Sequence, residues 1–204
     1  MMTHSDTMWD LFERMRAGQV RTKENQLLDD RLRAAAIVLN SDWGLFDATV
    51  MKATVPNLSR EEFEVIARAT GQGPDRVFAH LSRVFDDPSH DVYHQMATTW
   101  HQSVPHLFED IADLVRPMSK SYGALRVAAA ISYLEGDPPA LVKHFMDGLF
   151  HVAPTDSLRM NLSIALIDGI SPANVRQERT DSLTRENEDA MSLGMPPMSG
   201  RLSR

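Results

Sequence analysis

The residues best able to do chemistry in this chain are histidines. His90, His94, His101 and His106 fall within one short stretch, with Asp91, Glu109, Asp110 and Asp113 among and after them. On a helix His90 and His94 are four apart and share a face, the spacing at which two imidazoles reach one metal ion. A third ligand would have to come from elsewhere, with His101, Glu109 and His80 the nearest choices in sequence. Two imidazoles alone leave too many open positions for a defined catalytic centre, so no stoichiometric metal is expected. Imidazoles beside carboxylates also suit a pH-sensitive helical face, because histidine titrates near neutrality.

A second set of candidates lies just upstream. Ala67, Gly71, Val77, Leu81 and Val84 stand at the spacing of a helix-turn-helix. In that motif a small residue admits close helix approach, a glycine permits the tight turn, and later apolar residues seat the second helix. The stretch from Ala67 to Val77 resembles bacterial helix-turn-helix domains, over about 26 residues of the chain. Gln72 departs from the apolar residue usual after the glycine. The resemblance implies DNA contact by Arg76, His80 and Arg83, with Arg60 and Arg68 gathered on the same face. Asp75 stands at the start of the second helix, where phosphate would repel it. A purely structural helical hairpin fits the same spacing.

The pair His90-Asp91, with His80 before it, resembles the metal-dependent HD phosphohydrolases, which are also all-helical. His80 lies only ten residues before the pair, and no distant motif supplies a final aspartate. A zinc site of the HExxH kind would need a glutamate where Asp91 stands. There is no glycine loop ending in Lys-Ser/Thr, no GxSxG nucleophile turn and no GxGxxG after a strand. No catalytic residue and no cofactor is therefore assigned, and a non-enzymatic protein is favoured over an enzyme.

The elements that would position these groups are helical nearly throughout. Leu27, Leu28, Leu32, Ala35, Ala36 and Leu39 recur at helical spacing across 22–40, after a shorter helix over 7–17. Trp43 to Ala53 is apolar and ambiguous between helix and strand. Ser59 and Glu62 form a capping box opening a helix that Gly71 ends. Pro74 opens another, and a further helix is expected over 89–101. Pro105 is expected to open the next and Pro117 to end it. Leu125 to Leu134 leaves little polar face, so that helix is expected at the centre of the molecule. Asp137 and Pro138 read as a cap and first-turn proline for a helix with Lys143, Asp147 and His151 on its polar edge, His144 and His151 standing seven apart on it. Leu158, Leu162, Ala165 and Leu166 then form a stripe, with Ile164 and Ile167 beside it, closed by Gly169. The expected architecture is all-α, with about nine to ten helices in bundle-like or orthogonal packing. Residues 1–170 form the globular domain. Residues 171–204 are a polar helix and a Gly/Pro/Met/Ser-rich tail, too poor in apolar residues to build a core of their own.

Composition bounds the function. The 204 residues carry 21 Lys and Arg against 28 Asp and Glu, a formal net charge of -7, and no segment is net basic. Proteins that grip phosphates draw affinity from clustered Lys and Arg, so nucleic acid is not the favoured partner. The absence of Cys excludes disulfides, thiolate zinc sites and thiol catalysis. No apolar run reaches the ~18 residues of a membrane span, and the first residues lack a secretory signal's apolar stretch. A cytoplasmic protein, or a virion component if viral, is expected. Trp9, Trp43 and Trp100 are read as core or interface anchors. The leading expectation is a non-enzymatic helical protein–protein interaction or assembly protein, a class that includes structural, adaptor and phage or shell components, although no motif identifies one of these. Its partner is another protein or a second copy, and Met191, Leu193, Met195, Met198 and Leu202 form an adaptable contact strip in the tail.

Overall fold

The computed structural model describes residues 3–17, 30–55, 58–68, 98–115, 120, 122–135 and 137–170, with the backbone alone for 98–103. Among them are eight helices and no strand: α1 (His4–Arg16), α2 (Asp30–Val38), α3 (Trp43–Thr54), α4 (Arg60–Arg68), α5 (Thr98–Leu114), α6 (Tyr122–Leu134), α7 (Pro139–Val152) and α8 (Ser157–Ile167). The all-α expectation holds. The count falls short of nine to ten because the helix expected from Pro74 and the start of that expected from Ser89 lie outside the described residues. In addition, two expected helices are one.

That merger is at Pro105, which sits inside α5 instead of opening a helix. Proline has no N–H to give the carbonyl four residues back, a cost of about 3 kcal/mol in a helix interior. What offsets it is burial around and after the proline, where Val104, Leu107, Phe108, Ile111 and Ala112 all enter the core.

The apolar run of α6 does place it centrally. Every residue from Gly123 to Leu134 is buried, and α6 packs on α3, α5, α7, α2 and α8. The segment left ambiguous in sequence is also a helix. In α3 the side chain of Asp42 accepts the N–H of Leu45 at 2.9 Å, which supplies the N-cap. Gly44 to Thr54 is then buried along its whole length. Its two inward threonines are satisfied locally, with Thr49 donating to the Leu45 carbonyl at 2.6 Å and Thr54 to that of Val50 at 2.9 Å.

Caps at other ends follow local rules. Ser59 and Glu62 make the reciprocal box at the start of α4, and Thr3 with Asp6 makes a second one at α1. Asp137 is not the cap of α7. Pro138 occupies that position without a side-chain bond, while Asp137 accepts the Ser132 hydroxyl at 2.7 Å. Two consecutive prolines displace the start by one residue, because neither has an N–H to be capped.

Two glycines set how closely the helices meet. A Cβ on Gly123 would lie 2.5 Å from the carbonyl carbon of Leu39, and one on Gly44 would lie 2.5 Å from the Ala67 oxygen. At the first contact Asn40 ties α2 to α6. Its side-chain oxygen accepts the Gly123 N–H at 2.7 Å, its amide donates to the Lys120 carbonyl at 3.0 Å, and its own carbonyl accepts the Tyr122 hydroxyl at 3.0 Å.

Candidate interaction face

The last described helix is apolar on two sides. Leu158 and Leu162 turn into the core, while Met160, Ile164 and Ile167, at i, i+4 and i+7, lie on the opposite face in solvent. Ile164 is 56% exposed and Ile167 82%. Phe150 near the end of α7 and Ile170 beyond α8 are exposed as well. A run of large exposed apolar side chains on one helix face marks a contact surface.

The ends of α8 are firmly built. The Asp156 side chain accepts the Arg159 N–H at 3.0 Å. Arg159 places its guanidinium 5.2 Å from the centre of the Phe150 ring and donates to the Pro154 carbonyl at 2.7 Å. Gly169 closes the helix at φ 69°. Its N–H donates to the Leu166 carbonyl at 3.3 Å and that of Ile170 to the Ala165 carbonyl at 2.8 Å, the paired bonds of a Schellman end. The Ile170 carbonyl accepts the Tyr133 hydroxyl at 3.1 Å, so the chain leaves α8 pinned to α6.

Histidine chemistry is organised differently from the sequence expectation. Glu109 of α5 meets two imidazoles: its Oε2 is 3.2 Å from Nδ1 of His106, and its Oε1 is 2.5 Å from Nε2 of His144 in α7. Phe145 packs edge-on to both rings. Burial pushes the Glu109 carboxyl up, but hydrogen bonds and charge from His144 and then His106 outweigh it and hold the group below its ordinary value. This is a clasp between α5 and α7. Among the described residues no group of three histidines or carboxylates is arranged to hold a metal. His90, His94 and His80 lie outside the described residues, as does the side chain of His101. The role of His144 was not visible in sequence, since its partner is 35 positions away in the chain.

Two cations are buried. Lys52 is 1% exposed; its Nζ lies 4.1 Å from the centre of the Trp9 ring and donates to the Leu58 carbonyl at 2.9 Å. Glu13 is 3.8 Å away. Burial, and secondarily the charge of Arg16, lowers the ammonium to about 8 against the pull of Glu13. Arg126 is 2% exposed and stacks on Trp43 at 3.8 Å and Phe46 at 4.7 Å. Both tryptophans are thus anchors, as expected, although their cationic partners were not. The side chain of Trp100 lies outside the described residues.

Of the arginines expected on a DNA-facing surface, Arg60 and Arg68 are described. Both pair with Glu64 on α4, Nε of Arg60 at 3.1 Å and Nη2 of Arg68 at 2.6 Å, and Arg60 also pairs with Asp6 of α1. Their charge is directed to carboxylates of this chain. The backbone carbonyl of Ala67 packs against Gly44 of α3, so the close helix approach at this position lies within the body of the protein and is admitted by the glycine. Arg76, His80 and Arg83 lie outside the described residues, as do Met191, Leu193, Met195, Met198 and Leu202. No helix among the described residues is long and apolar enough to cross a membrane.

No protein-family model, curated protein or solved structure matches the chain.

Proposed function

We propose that this chain is a non-enzymatic helical assembly protein that associates through the solvent face of α8. The observation that carries the proposal is the exposure of Met160, Ile164 and Ile167 on one side of a helix whose other side is already in the core. Apolar surface of this kind gains about 25 cal/mol for each Å² removed from water, so covering it favours association. The rigid cap at Asp156 and the Schellman end at Gly169 hold the face in one shape, which lowers the ordering cost of binding. The assembly intended is between copies of this chain.

Size-exclusion chromatography with light scattering over a range of concentrations tests it. The mass rises above that of one 22.9-kDa chain as concentration increases. Ile164→Asp with Ile167→Asp returns it to a single chain while the helical circular dichroism is retained. A single chain at every concentration overturns the proposal.

A further inference from the structure

We infer that the α8 face closes a dimer about a two-fold axis, with the two α8 helices antiparallel and Ile164 of each copy at the centre. This rests on the face being the assembly surface. When one face serves both copies, each contact is repeated in reverse and association ends at two chains. A helix packed on itself about a two-fold axis runs either parallel or antiparallel to its partner, and the two flanks of the face distinguish these arrangements.

The flanks differ in chemistry. On one side Arg159, Ser163 and Ile167 follow at i, i+4 and i+8, and Phe150 of α7 joins this side through the Arg159 guanidinium near the start of α8. The Ser163 hydroxyl already donates to the Arg159 carbonyl at 2.8 Å, so covering it strands no donor. On the other side stand Ser157, Asn161 and Asp168, all exposed and polar.

An antiparallel two-fold brings like flanks together, start against end. Met160 and Phe150 then meet the partner's Ile167 and Ile170, and Ile164 meets its own copy. Asp168 comes to the start of the partner's α8, beside the partner's Ser157 and Asn161, where the helix dipole favours a carboxylate. A parallel two-fold crosses the flanks instead. It sets Phe150 against the partner's Ser157 and Asn161 and lays the two negative helix ends side by side, each with its Asp168. Apolar contact and charge both select the antiparallel pair.

The chain has no cysteine, so introduced thiols report only on the places chosen. A disulfide needs Cα atoms within about 7 Å. Met160 and Ile167 stand about 10 Å apart along the helix, so an antiparallel pair keeps each away from its own copy and close to the other. On oxidation, Ile164→Cys links to itself. Met160→Cys mixed with a tagged Ile167→Cys gives at least about tenfold more linked dimer than either alone. The mass in light scattering levels off at two chains. Asp168→Asn tests the orientation without a thiol: the dissociation constant rises about two- to tenfold in an antiparallel dimer and falls in a parallel one.

Self-linking of Met160→Cys and of Ile167→Cys, with none between them, shows parallel helices and overturns the inference. So does linking confined to Ile164→Cys, or tighter association of Asp168→Asn. A mass that climbs past two chains overturns the two-fold closure. Each of these results leaves assembly through α8 standing. A single chain at every concentration, with no linking of Ile164→Cys, sinks the assembly reading itself and the pairing with it.

Discussion

Asp156 divides its carboxylate between Arg126 and the start of α8: Oδ2 lies 3.2 Å from Nε of Arg126, and Oδ1 accepts the Arg159 N–H at 3.0 Å. One side chain thereby caps the helix that bears the exposed face and pairs with Arg126, the single cation of α6. Burial lowers the Arg126 guanidinium, with the charges of Asp156, Tyr122 and Asp47 opposing it. The aromatic rings of Trp43 and Phe46 complete its surroundings.

Asp156→Asn keeps an oxygen for the cap but removes the negative charge beside Arg126. Breaking a buried pair from one side costs about 3–5 kcal/mol, and the remaining rings and Asp47 reduce this to about 2–4 kcal/mol here. Adding Arg126→Met removes the stranded cation, so the double variant is more stable than Asp156→Asn alone. Urea denaturation of the four proteins in this cycle checks the order. A double variant less stable than Asp156→Asn would show that the guanidinium packs favourably without its partner.

Lys52 makes stability depend on alkaline pH. Below about 8 the ammonium is charged in folded and unfolded chain alike, and the folded state bears the full cost of burying it. Between about 8 and the ordinary 10.5 the folded chain has released a proton that the unfolded chain still holds, so stability climbs. The gain reaches about 2–3 kcal/mol by pH ~10. Above that pH Tyr133 acts in the opposite sense, since burial raises its phenol and the unfolded chain ionises first. Denaturation midpoints followed from pH ~8 to ~10 should rise in the parent and stay flat in Lys52→Met.

Gly123 and Gly148 respond oppositely to alanine. At Gly123 the new methyl meets backbone of Leu39 and Asn40, which cannot move without parting α2 from α6, so Gly123→Ala costs about 2–4 kcal/mol. At Gly148 the nearest atoms are side-chain methyls of Leu125 at 3.5 Å and 3.7 Å, an ordinary contact. Gly148→Ala therefore gains up to about 1 kcal/mol from helix propensity. Thermal melts of the two variants should shift in opposite directions.

Much of the fold was legible in the chain because helix formation is signalled within a turn or two. The unbroken apolar run of α6 placed it in the centre, and the Ser59–Glu62 box and Gly169 marked helix ends where the structure has them. Thr3 and Asp6 carried a signal of the same kind that the periodicity of 7–17 concealed. Trp43–Thr54 stayed ambiguous since burial on all sides erases the alternation that separates helix from strand. Pro105 misplaced a boundary because a local break was overridden by burial of the residues around and after it.

The candidate face and the polar pairs belong to tertiary structure. In sequence Ile164 and Ile167 are as apolar as Leu158 and Leu162, and only the packing of α8 on α6 and α7 decides which pair meets water. Glu109 finds His144, Arg60 finds Asp6 and Arg126 finds Asp156 across 30 or more positions of chain. No spacing rule reaches that far: local rules follow from the 3.6-residue turn, whereas these partners are set by which helices share an interface.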